Sequence, residues 1–95
     1  MAIFIVRVQL TVEDGKYYTL VRDGLINIGF TKRVTSTEGI EYRLPNGNYK
    51  IESNKDGSAI LTAVQQVVLR IDKNAMILVT ETKPKGMNWS GLERC

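Results

Sequence analysis

Two segments of this chain repeat apolar residues at the spacing of an amphipathic helix, which limits what the chain can fold into. The repeating positions are Tyr17, Val21, Leu25 and Ile28 in the first segment and Ile60, Val64, Val67, Val68 and Ile71 in the second. Residues three and four apart share one face of a helix, so each segment predicts a helix with one apolar stripe. Such a stripe must be buried against another layer.

Short stretches rich in β-branched and aromatic residues flank both predicted helices. Residues 2–10 alternate between two faces, and further strands are predicted at 30–36, 40–44 and 75–80. Residues 49–52 also alternate, as a short additional strand or as an extended connection. The order strand, helix, strand, strand, helix, strand predicts an α+β fold, a ferredoxin-like βαββαβ two-layer sandwich. Its four-stranded antiparallel sheet would carry both helices on one face and leave the other face bare.

The chain is predicted to form one domain over residues 1–95, because a second hydrophobic core would need more residues. Residues 83–95 read as a polar C-terminal tail. Trp89 is the single tryptophan and lies in that tail. A large aromatic side chain in a polar segment is typically packed, so Trp89 is expected to anchor the tail to the domain or to a second subunit.

The first predicted strand indicates what the bare face would carry. One set of alternating residues is apolar and is assigned to the helix-covered core; it consists of Phe4, Val6, Val8 and Leu10. The opposite set would lie on the bare face; it consists of Ile3, Ile5, Arg7 and Gln9. Neighbouring strands could add Lys32 or Arg33 and Arg43, although a shift of one residue would reverse their side chains.

A net charge of +3 and these basic residues favour an anionic partner. A sheet surface with Arg, Lys and Tyr can hold phosphates and stack unpaired bases, so single-stranded or messenger RNA is the expected partner. The candidate RNA-binding residues are Arg7, Gln9, Lys32, Arg33, Tyr42 and Arg43. The alternatives are that the arginines are ordinary solvated charges and that Tyr42 packs at the sheet edge. A second copy of the chain is the other partner considered, through Ile3, Ile5 and Trp89.

The residue types that the chain lacks exclude several kinds of catalysis. It contains no histidine, so Ser-His-Asp and Cys-His nucleophile systems are absent. It contains neither of the common glycine-rich phosphate loops. Glu13 and Asp14 follow the first strand and are candidate Mg²⁺ ligands, or charges at the positive end of the helix dipole. No cofactor other than that ion is expected.

Cysteine content and hydropathy give the expected compartment. Cys95 is the single cysteine, so no disulfide can form within the chain, and a reducing cytoplasm is expected. No apolar run approaches the roughly 18 residues of a membrane span, so no membrane partner is expected.

Several short motifs together resemble one group of small bacterial and phage proteins, the family of the GhoS endoribonuclease antitoxin. The motifs that carry the resemblance are Phe4-Ile5-Val6-Arg7-Val8, Tyr18…Gly29-Phe30, Gly39…Tyr42-Arg43-Leu44-Pro45, Tyr49, Ile77-Leu78-Val79-Thr80-Glu81 and Trp89-Ser90-Gly91-Leu92-Glu93. The resemblance implies a ferredoxin-like fold and sequence-selective RNA cleavage in a toxin–antitoxin or mobile-element setting. It transfers no catalytic residues, so whether the chain is an enzyme stays open.

Two functional hypotheses therefore follow from the sequence. The first is an RNA-interacting, GhoS-like antitoxin with endoribonuclease activity, either metal-free with stabilising arginines such as Arg7 and Arg43 or dependent on a metal at Glu13 or Asp14. The second is a non-enzymatic, homodimeric protein-binding module of a phage or mobile element.

Overall fold

The computed structural model describes residues 2–12, 14–83, 87 and 89–95, and within them the chain is an α+β protein. The elements, in chain order, are β1 (Ala2–Gln9), α1 (Gly15–Asn27), β2 (Arg33–Thr35), β3 (Glu41–Arg43), β4 (Asn48–Ser53), α2 (Gly57–Val68) and β5 (Met76–Thr82). Neither helix of this part of the chain has the length and apolar character needed to span a bilayer.

The strands form two antiparallel sheets, so the prediction of a single four-stranded sheet is wrong. One sheet has three strands in the order β4-β1-β5, and β2 pairs with β3 in a separate two-stranded sheet. Residues 49–52, for which a strand was one of two options, lie in β4 directly beside β1. The predicted third strand, residues 40–44, contributes β3 to the separate hairpin instead.

A tight turn before β4 explains why β4 rather than β3 reaches the central strand. The N–H of Asn48 donates to the carbonyl of Pro45 (3.1 Å), and Gly47 has a φ of 81°, which only glycine adopts freely. The N–H of Val8 then donates to the Gly47 carbonyl (2.7 Å), which sets the end of β4 against β1. The turn thus separates β3 from the main sheet.

The core lies between one face of β1 and the two helices, as the alternation of β1 predicts. Phe4, Val6, Val8 and Leu10 are all buried. They form one cluster with residues of both helices, namely Val21, Leu25, Ile60, Val64 and Val68. The helices approach closely at Gly24, where an added Cβ would lie 2.6 Å from Cγ1 of Val67.

Specific residues set the two ends of α1. Asp14 caps the helix, since its side chain accepts a hydrogen bond from the N–H of Lys16 (3.0 Å). Thr11 bonds to Asp72. Ile28, predicted on the buried stripe, is 42% exposed because α1 ends before it and Gly29 turns the chain away with a φ of 108°.

Candidate functional site

The predicted RNA-binding residues line three different pockets rather than one. Lys32, Arg33 and Arg43 line a cleft next to α1. Arg7 and Gln9 lie on the uncovered face of the three-stranded sheet, whereas Tyr42 lines a groove beneath the C-terminal tail. The separation follows from the two-sheet architecture, because the β2–β3 hairpin is not a continuation of the sheet that carries Arg7.

We call the first surface the basic cleft and define it by Arg22, Lys32, Arg33 and Arg43. It has a volume of about 930 Å³ and lies between α1, the β2–β3 hairpin and the turn before β4. Tyr18, Asn46 and Gly47 complete its wall. Sequence reasoning missed Arg22, since its place in the cleft depends on where the hairpin packs, and the spacing of residues along α1 contains no signal for that.

Two arginines of the basic cleft face each other across the hairpin. Arg33 and Arg43 are directly paired in the β2–β3 register, and like charges at such positions repel. Each has an acidic partner: Nη1 of Arg33 lies 3.2 Å from Glu41, and Nη1 of Arg43 lies 3.4 Å from Glu93. All four side chains are exposed, and exposed ion pairs are weak. A guanidinium has five N–H donors, so both arginines retain donors for an external anion.

Lys32 has a structural role that its sequence position did not reveal. Its Nζ donates to the carbonyls of Pro45 and Asn48 (3.1 Å each) and lies 4.6 Å from the ring centroid of Tyr49. Burial, followed by repulsion from Arg22 and Arg43, lowers the pKa of Lys32. Lys32 therefore holds the turn before β4 in place. The positive charges of Arg22 and Arg43 both act on its Nζ, so the electrostatic influence of both arginines extends to this part of the basic cleft.

Two tyrosines form the inner wall of the basic cleft. Tyr49 is buried, and burial is the main reason that its pKa is raised to about 12. Tyr18 is half-buried, and its hydroxyl accepts a hydrogen bond from the N–H of Leu10 (3.1 Å). This bond holds the Tyr18 ring at the border between core and cleft.

The second surface is the open sheet face, which we define by Ile5, Arg7, Gln9, Met76 and Leu78. In the β1–β5 register Arg7 pairs with Leu78 and Gln9 with Met76. Leu78 and Met76 are 60% and 59% exposed, and Ile5 is half-buried. Lys50 of β4 pairs with Ile5 on the same face, so this face is a mixture of apolar and polar groups with one arginine and one lysine, rather than the arginine-rich platform that the sequence suggested.

The third surface is a groove beneath the C-terminal tail, and it contains two of the three candidate dimer residues. Trp89 packs edge-on against Tyr42, with ring centroids 5.7 Å apart. The N–H of Arg43 donates to the carbonyl of Glu93 (2.8 Å), and that of Cys95 to the carbonyl of Glu41 (3.0 Å). The tail thus runs alongside β3, and Ile3 and Trp89 both line the groove. Trp89 makes its aromatic contact within its own chain.

The two candidate metal ligands have different outcomes. Asp14 is the N-cap of α1, and Glu13 lies outside the described residues. Among the residues that the structure describes, no three His, Cys, Asp or Glu side chains come together in a way that could hold a metal ion.

The chain matches no protein-family model and no curated protein. The resemblance to the GhoS family therefore depends on the short motifs of the sequence alone.

Proposed function

We propose that this chain binds single-stranded RNA through the basic cleft. The observation that carries the proposal is the convergence of Arg22, Lys32, Arg33 and Arg43 on one concave surface. Phosphates bind where several cations are held close together, and arginines add directional N–H donors. An RNA backbone would also reduce the repulsion between Arg33 and Arg43, which face each other in the hairpin.

Two features favour a flexible single strand over a rigid duplex as the ligand. The basic cleft is concave and compact, so a backbone that bends can follow it. Its wall also carries Tyr18, whose half-buried ring offers a surface on which an unpaired base can stack. The net charge of +3 would assist the encounter without selecting a sequence.

We further propose, from the resemblance to the GhoS family, that bound RNA is cleaved slowly. In a metal-free route the ribose 2′-hydroxyl gives its proton to water and its oxygen bonds to the adjacent phosphorus. The bond from phosphorus to the 5′-oxygen of the next nucleotide breaks and that oxygen takes a proton from water, which leaves a 2′,3′-cyclic phosphate and a 5′-hydroxyl. The cleft arginines Arg33 and Arg43 would stabilise the extra negative charge of the phosphorane. Arg7, the partner that sequence analysis suggested for Arg43, lies on the open sheet face, so Arg33 takes that role.

A ferredoxin-like arrangement is the finer fold that we propose. Thr31 and Lys50 exchange two backbone hydrogen bonds (2.9 and 2.8 Å), which sets the segment before β2 beside β4. The strand order then extends to β5-β1-β4-Thr31. That order supports a ferredoxin-like plan in which the β2–β3 hairpin has turned away from the sheet.

The experiment is a salt titration of the binding of labelled single-stranded RNA, measured by fluorescence anisotropy. We expect the logarithm of the association constant to fall linearly with the logarithm of salt concentration, with a slope of about −0.7 for each phosphate neutralised. The double variant Arg33→Gln, Arg43→Gln should lower the affinity at least about tenfold. It should also reduce the magnitude of the slope by the contribution of one to two phosphates.

A matched control removes the same charge elsewhere. Arg7 and Arg70 are exposed and do not line the basic cleft, so Arg7→Gln, Arg70→Gln should bind almost as the unmodified chain does. Equal loss in both double variants would show that net charge alone attracts the RNA. Absence of binding at low salt would overturn the proposal. RNA length on a denaturing gel, with and without EDTA, tests cleavage and separates the metal-free route from one that uses Glu13 or Asp14.

The alternative function, a non-enzymatic homodimeric protein-binding module, is favoured by one observation. Met76 and Leu78 expose most of their side chains beside Ile5 on the open sheet face. A chain that binds no RNA at low salt and loses self-association in Ile5→Lys would support that alternative.

A further inference from the structure

The outer edge of β5 offers backbone hydrogen-bonding groups to a partner strand. β5 pairs with β1 on one side, and on its other side it meets no strand among the described residues. The backbone N–H of Val8 points towards β4, and successive residues of a strand direct their backbone groups to opposite sides. The backbone groups of Arg7 therefore point towards β5, and those of its partner Leu78 point back towards β1. The backbone groups of Ile77, Val79 and Glu81 must then point outward.

Apart from Glu81, the sequence of this edge lacks the residues by which proteins keep strand edges unpaired. The sequence Met-Ile-Leu-Val-Thr-Glu-Thr contains no proline, glycine or lysine. The opposite edge of the sheet differs, because Thr31 occupies the outward N–H and C=O of Lys50 in β4. The β5 edge is also flanked by two exposed apolar side chains, those of Met76 and Leu78.

We propose that β5 pairs antiparallel with β5 of a second copy of this chain, about a two-fold axis at Leu78. Leu78 then faces Leu78 of the second copy, and Ile77 faces Val79 of the second copy. The outward N–H and C=O of Ile77 and Val79 bond across the axis, and the result is a continuous sheet with three strands from each copy.

The self-complementarity of the β5 sequence favours a second copy as the partner. Glu81 is the one charged residue of β5, and Lys73 is the nearest basic residue before it. Antiparallel pairing about Leu78 sets Glu81 of each strand opposite Ala75 of the other and Lys73 opposite Lys83, so the two Glu81 side chains are kept apart, whereas parallel pairing would set Glu81 beside Glu81. The same two-fold axis covers Leu78 with an identical side chain and matches β-branched Ile77 with β-branched Val79.

The test is the molar mass of the chain in solution as its concentration is raised, by sedimentation equilibrium. We expect the mass to rise from that of one chain to that of two. Val79→Pro removes an outward N–H that no bond of the described fold uses, and it should raise the dissociation constant at least about tenfold. Leu78→Lys sets two charges on the axis and should have a similar effect.

Leu20→Lys is the matched control, since Leu20 is 52% exposed on α1 and receives the same substitution. It should dimerise as the unmodified chain does. Circular dichroism checks that each variant is folded. If Val79→Pro is not, loss of the dimer in Leu78→Lys together with an unchanged dimer in Ile5→Lys decides for the β5 edge. A chain that stays monomeric at every concentration would overturn the proposal. So would folded Val79→Pro and Leu78→Lys variants that still dimerise, or a dimer lost in Ile5→Lys alone, which would place the interface on the open sheet face.

Discussion

Asp72 and Thr11 connect the two ends of the fold through one carboxylate oxygen. Oδ2 of Asp72 accepts hydrogen bonds from the N–H (2.6 Å) and the hydroxyl (2.7 Å) of Thr11. Oδ1 accepts a bond from the N–H of Asn74 (3.1 Å). Asp72 therefore ties Thr11, two positions past the end of β1, to the turn between α2 and β5, 61 positions along the chain.

The stability of the fold should consequently depend on the ionisation of Asp72. The hydroxyl bond from Thr11, followed by the Thr11 backbone bond, lowers the pKa of Asp72 below its ordinary value of 3.8. The carboxylate thus stabilises the fold fully above pH 3.8, and the stabilisation is lost as the pH falls through the lower, folded pKa. Asp72→Asn should lower the free energy of unfolding at neutral pH and flatten its decline in acid.

Urea unfolding at a series of pH values measures this effect. Asp23→Asn serves as the control, because Asp23 is an exposed carboxylate whose ion pair, within the described part of the chain, is with its neighbour Arg22. We expect that control to keep the acid decline of the unmodified chain. An identical acid profile for Asp72→Asn would contradict the role of the Thr11 contact.

Tyr49 should produce a separate step at alkaline pH. Burial raises its pKa from 10.0 to about 12. The neutral phenol therefore stabilises the fold fully below pH 10, and this contribution is lost as the pH rises from 10 to about 12. In an ultraviolet titration of tyrosinate, one of the four tyrosines should ionise near pH 12, and Tyr49→Phe should remove that step.

The matched control for this titration is Tyr17→Phe, because Tyr17 is on α1 and does not line the basic cleft. It should leave the step near pH 12 in place. A step that persists in Tyr49→Phe would show that the late ionisation belongs to another group.

Part of this architecture could be predicted from the sequence. The alternation in β1 identifies the buried set correctly, because a half-buried strand must separate apolar from polar residues with period two. The helical stripes likewise place Val21 and Val64 in the core. These predictions hold since they depend on local periodicity.

The candidate site was less predictable because it depends on how distant segments meet. Apolar and polar residues alternate as clearly in Tyr49-Lys50-Ile51-Glu52 as in residues 40–44. Periodicity alone therefore could not decide which of the two segments pairs with β1. That choice separates Arg43 from Arg7 and brings Arg43 to Arg22. The pairing is instead decided by the turn at Gly47, where the backbone approaches Val8.

Gly47→Ala should therefore be strongly destabilising. A Cβ at this position would lie 2.5 Å from the carbonyl oxygen of Val8, and φ is 81°. Gly39 has the same φ but nothing within 4 Å of its Cβ, so it is a matched control. We expect Gly39→Ala to cost about 1 kcal/mol for the left-handed backbone and Gly47→Ala about 2–4 kcal/mol.

Urea unfolding of both variants gives the difference between them, which isolates the close approach to Val8. Equal costs would mean that β4 can shift away from β1 without loss. Such a result would mean that the approach of Gly47 to Val8 does not decide which strand pairs with β1.

The contact between Trp89 and Tyr42 should hold the C-terminal tail on the β2–β3 hairpin. The edge-on pair of rings, 5.7 Å apart, belongs to a geometry that contributes about 0.5–1.5 kcal/mol beyond burial. A double-mutant cycle of Trp89→Ala and Tyr42→Ala, measured by urea unfolding, should give a coupling energy in that range. Arg43 bonds to the tail at Glu93, so loss of the Trp89 contact should disturb Arg43 and weaken RNA binding. The effect should be smaller than that of Arg43→Gln, which removes the cation itself. Additive single effects would show that the pair of rings adds no coupling energy to the attachment of the tail.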